Sequence, residues 1–75
     1  MSEWSENHRE AMEIADLAHS ALNQGNDGYA RKLFALAAES EEKALAALDP
    51  LDPSLKRTAR ITRESLAALR EKAGL

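Results

Sequence analysis

The chain contains no cysteine and no valine, and only two isoleucines, two prolines, three glycines and three aromatic residues among its 75 positions. Without cysteine, neither disulfides nor thiolate metal sites can reinforce the fold. The scarcity of β-branched aliphatic residues removes the side chains that strands favour. No apolar run approaches the roughly 20 residues needed to span a bilayer. The chain does not open on a basic segment followed by an apolar one, so no signal peptide is expected and a cytoplasmic location is. It also lacks a glycine-rich phosphate loop and a nucleophile beside a base, so the chain reads as no enzyme, with no cofactor and no small-molecule substrate.

What is present is alanine, leucine, glutamate, lysine and arginine, all strong helix formers, so the expected fold class is all-α. The apolar fraction of 44% is ordinary for a globular domain. A chain this short makes one domain and buries only about 60% of its unfolded surface. Alanine-rich faces let helices approach closely but bury little area each. The resulting thin core favours self-association or docking onto another chain.

Three helices follow from the pattern. Helix 1 is expected over about 5–24, with Ser2, Ser5 or Asn7 as the cap and a stripe of Ala11, Ile14, Ala15, Ala18, Ala21 and Leu22 at three- and four-residue steps. Trp4 extends that stripe if the helix starts early. Leu22 to Ala30, with Gly25 in a left-handed cap, reads as a tight bend between antiparallel helices. Helix 2 is expected over about 27–48, with Ala30, Leu33, Phe34, Ala37, Ala44, Leu45 and Leu48 in its stripe. Leu36, Ala38 and Ala47 make it apolar on more than one side, which marks it as the central helix. Pro50 ends it, and Asp52 followed by Pro53 starts helix 3, expected over about 53–73 with Leu55, Ala59, Thr62, Leu66, Leu69 and Ala73 inward. Leu17-Ala18 before Gly25 and Leu66-Ala67 before Gly74 form a faint echo 49 residues apart.

The spacing of Gly25, Ala30, Phe34 and Ala37, with Leu17 and Ala18 on the preceding helix, resembles the tetratricopeptide repeat (TPR). Ala21 and Leu22 stand where that family carries a late aromatic, and Pro50 lies beyond its usual place. Residues 11 to 74 resemble bacterial TPR-like helical proteins of no assigned activity. The three-helix layout is also similar to the MIT domain, although Arg70-Glu71-Lys72 matches the end of its third helix only loosely. Either resemblance implies a module that binds a protein partner in a groove between helices. The expected architecture is a three-helix antiparallel bundle, a TPR-like hairpin plus a third packed helix.

Histidines and clustered carboxylates are the residues that could carry chemistry. His8 and His19 lie on one helical face but about 16 Å apart along the axis, so they cannot share a metal. Asp16 and His19 have the i, i+3 spacing of di-iron ligands, but no second such motif accompanies them; a solvated helix face is expected for both histidines, and no metal site. Glu39 and Glu42 are expected at the surface. Glu41 falls inside the apolar stripe and is expected to be buried against Arg57, Arg60 or Arg63.

Charge is segregated, with residues 1–24 at -4 and residues 53–75 at +4. The basic third helix is read as complementing acidic helix 1, within the chain or between chains. Nucleic-acid binding by Lys56, Arg57, Arg60, Arg63, Arg70 and Lys72 is the alternative. The partner-binding surface is expected on helices 1 and 3 away from helix 2, through Trp4, Met12, Leu17, Ile61 and Leu69, with Arg57, Arg60 and Arg63 giving charge specificity. The partner is another protein or a second copy, as a homo-oligomer.

Overall fold

A computed structural model describes residues 2–75. It contains α1 (Glu3–Asn23), α2 (Asp27–Ala46), a 3₁₀ turn (Pro53–Leu55) and α3 (Lys56–Ala73), with no strand among the described residues. The protein is an all-α three-helix bundle. Ser2 caps α1 by accepting the Ser5 backbone N–H at 3.1 Å. The helix therefore begins at Glu3, earlier than expected, and Trp4 lies inside it. Asp52 caps the 3₁₀ turn that leads into α3, accepting both the backbone N–H and the hydroxyl of Ser54 at 3.0 and 2.7 Å. These two bonds, the hydroxyl's foremost, hold the Asp52 carboxyl below its usual pKa. α2 ends at Ala46, two residues before Leu48.

α2 is the central helix: α1 and α3 each run along it, and their own backbones scarcely approach one another. The resulting body is a flat slab, 42 × 23 × 14 Å. Along α1 the buried positions are Ala11, Ala15, Ala18 and Ala21. Their methyl groups let α2 approach closely. The bulk of the core comes from Phe34 and Leu33 on α2 with Leu66 and Leu69 on α3.

Both helix-ending glycines adopt φ +78°, and the turns around them share one hydrogen-bond pattern. Asn26 N–H donates to Ala21 and Gly25 N–H to Leu22, while Leu75 N–H donates to Arg70 and Gly74 N–H to Glu71. Both turns thus close on the bond pair of a Schellman cap. The echo stops there. Leu17 is exposed where Leu66 is buried, and Ala18 is buried where Ala67 is exposed. The two helices reach their turns with different residues facing the core.

Candidate functional site

The fully buried carboxylate of Glu41 ties the three helices together. Nδ1–H of His8 on α1 donates to it, lying 2.9 and 3.0 Å from its two oxygens, and the Ser65 hydroxyl on α3 donates to Oε2 at 2.7 Å. The indole of Trp4 stacks on the His8 ring with centroids 4.9 Å apart and planes inclined by 8°. Its Nε1–H donates to the Thr62 hydroxyl at 3.0 Å, and that hydroxyl donates in turn to the Thr58 carbonyl at 2.7 Å. Among the described residues no buried side-chain polar atom lacks a partner. Held by donors from α1 and α3, the carboxylate is a pin between helices.

The expected partner of Glu41 is thereby corrected. Its burial is as expected, but Arg57, Arg60 and Arg63 do not reach it. Ser65 faces α1 and α2, whereas Arg60 and Arg63 lie about 140° and 160° around α3 from it at about 100° per residue. The arginines are exposed and line a depression of about 600 Å³ with Asp49, Pro50, Asp52, Leu55, Lys56 and Ala59. His8 is likewise not on a solvated face: it is half-buried between Trp4 and Glu41. His19 is exposed but sits edge-on to Phe34, with ring centroids 5.1 Å apart, and Lys72 lies over the same ring at 5.6 Å. Residues of α1 and α3 thus meet at Trp4–Thr62 and gather around Phe34, closing this side of the slab with the chain's own side chains.

The expected interface residues do not converge. Trp4 is committed to His8 and Thr62, Met12 is half-buried against the core, and Leu69 is buried and offers no surface. Leu17 and Ile61 are exposed, but on different faces. Leu17 lies about 180° around α1 from His8, whereas Ile61, one turn before Ser65, faces the α1 side of α3. Sequence reasoning missed Tyr29 and Leu36, which are 54% and 49% exposed and seven residues apart on one stripe of α2. Leu36 lies about 140° from Glu41 around α2, so it turns away from α3 as Leu17 does. Leu17, Tyr29 and Leu36 therefore share the open face of the hairpin. The signal was the excess apolar width of α2, which marked two packed sides but not that one edge stays uncovered.

Among the described residues no group of three or more His, Asp or Glu side chains is placed to hold a metal ion, and no helix is long and apolar enough to cross a membrane. No family model matches this chain, and no curated protein or solved structure is detectably similar to it.

Proposed function

We propose that this protein is a small non-catalytic interaction module that holds a protein partner, or a second copy of itself, by helix packing on the open face of its α1–α2 hairpin. The observation that carries the reading is the exposure of Leu17, Tyr29 and Leu36 on one face of two adjoining helices. The opposite side of the hairpin already holds an amphipathic helix, α3, through Leu66 and Leu69, which supports a helix as the element that docks. The antiparallel α1–α2 hairpin with its tight turn at Gly25 supports a TPR-like reading. A cytoplasmic setting belongs to the same reading. Affinity capture with the native chain and with L17E/L36E tests it. The native chain should retain a protein that the variant loses while both melt at similar temperatures. Identical retention by both would overturn the assignment of this face.

The gathering of Lys56, Arg57, Arg60 and Arg63 at one depression supports a second reading, a nucleic-acid-binding regulator using α3. Asp49 and Asp52 in the same depression weigh against it by opposing a phosphate backbone. A salt-dependent shift of a DNA or RNA probe, lost in R60E/R63E, would favour this reading. No shift at low salt would remove it.

A further inference from the structure

Among the described residues the carboxylates in contact with a basic side chain are Glu41, with His8, and Glu42, with Arg70; no such contact joins the acids of α1 to the bases of α3. The charge segregation visible in the sequence is therefore not spent inside the chain. Glu3, Glu6, Glu10 and Glu13 continue, at three- and four-residue steps, the stripe that carries Leu17, and all are exposed. On α2 the neighbouring stripe carries Tyr29, Lys32, Leu36, Glu39 and Lys43, also exposed. The open hairpin edge is thus apolar toward the Gly25 bend, with five carboxylates against two ammonium groups. At α3 the depression has Pro50, Leu55 and Ala59 for apolar lining, with Lys56, Arg57, Arg60 and Arg63 against Asp49 and Asp52. One edge is net acidic and the other net basic, and each carries exposed apolar surface.

We infer that the occupant of the open hairpin edge is a second copy of this chain, docked head to tail: the α1–α2 edge of one copy receives the α3 edge of the next. Two copies joined through identical hairpin edges would set two net-acidic surfaces against one another, so the charge pattern disfavours a two-fold face-to-face dimer. Heterologous docking places Glu10 and Glu13 against Arg60 and Arg63 of the next copy, and Leu17 and Leu36 against the apolar lining of its depression. Such contacts leave one edge free at each end, so assembly grows with concentration into open chains or closes as a ring. Opposed charges on exposed edges also make it weaken as salt rises. The inference rests on the reading of this protein as an interaction module and names its partner.

Sedimentation velocity of the full chain tests it, at low and high salt and across a wide concentration range. The sedimentation coefficient should rise with concentration at low salt and fall toward the monomer at high salt. Two charge-reversed chains, E10K/E13K and R60E/R63E, should each be monomeric alone and regain association when mixed, because each keeps the edge the other has lost. Restored association on mixing also certifies that both variants are folded. A native chain that stays monomeric at low salt throughout would overturn the proposal, as would a dimer indifferent to both reversals, or reversed chains that do not associate when mixed. A native chain that is monomeric, yet retains a different protein through Leu17 and Leu36, would end this inference and leave the interaction-module reading standing.

Discussion

His8 and Glu41, 33 residues apart in the chain, are joined by an imidazole Nδ1 that lies within 3.0 Å of both carboxylate oxygens. Trp4 stacks on the outer partner and Ser65 binds the inner one. The four side chains span all three helices, so the position of α3 on the hairpin is set by a polar contact as well as by Leu66 and Leu69. In a flat body with an alanine-lined core, that contact is expected to carry an unusual share of the stability.

Replacing Glu41 with glutamine keeps the size but turns one of the two oxygens that receive the His8 N–H and the Ser65 hydroxyl into an amide donor. The expected loss is about 1–3 kcal/mol. For a domain of this size each kcal/mol lowers Tm by about 4–8 °C, so thermal unfolding followed by circular dichroism reads the change. Glu41→Ala adds a cavity and should cost more, about 2–5 kcal/mol. A Glu41→Gln chain that melts with the native one would show that the pin is dispensable.

Trp4 is the one tryptophan of the chain and reports on the contact between α1 and α3. Trp4→Phe keeps an aromatic face on His8 and loses the bond to Thr62, for an expected cost of about 1 kcal/mol. Thr62→Val removes the acceptor for the same bond. A double-mutant cycle over the two positions should show a coupling of at least about 0.5 kcal/mol. Simple additivity would mean that the indole–hydroxyl bond contributes nothing.

The glycines separate by backbone conformation. Gly25 sits at φ +78°, so Gly25→Ala is strained even though nothing lies near the added methyl group, and it should destabilise by about 1–2 kcal/mol. Gly28 lies in the first turn of α2 without a positive φ and with open space around it. Gly28→Ala should raise stability by about 0.4–1 kcal/mol. Urea midpoints at unchanged slope would verify the opposite signs.

The start of α3 should respond to acid. The Asp52 carboxyl is held below the ordinary 3.8 by the Ser54 hydroxyl and backbone N–H. A lowered folded-state pKa means that its stabilisation is complete above the ordinary value and is lost as pH falls through the folded one. Between neutral pH and about 5 the cap should be unchanged. Below 3.8 the Ser54 amide resonance should titrate, and Asp52→Asn should abolish that titration while keeping a cap. A Ser54 amide that titrates above 3.8 would contradict the assigned cause.

Most of the fold is legible in the residues because helix signals are local. Ser2, Gly25, Asp52-Pro53 and Gly74 mark boundaries through bonds that span two to five residues. The alanine and leucine stripes mark the buried face through the 3.6-residue repeat. The boundaries missed, at Glu3 and Ala46, are where several residues could cap or extend a helix equally well. The burial of Glu41 was legible too, since it occupies a stripe position.

The sequence by itself therefore determined three helices, their order, the centrality of α2 and the presence of one carboxylate inside the core. Only the tertiary structure decided which partner that carboxylate takes. Helical periodicity fixes how residues lie around each axis but not how one helix is rotated and shifted against the next. That relative placement brings His8 and Ser65 to Glu41, turns the arginines of α3 toward the connector, and leaves Leu17 and Leu36 uncovered on the far edge.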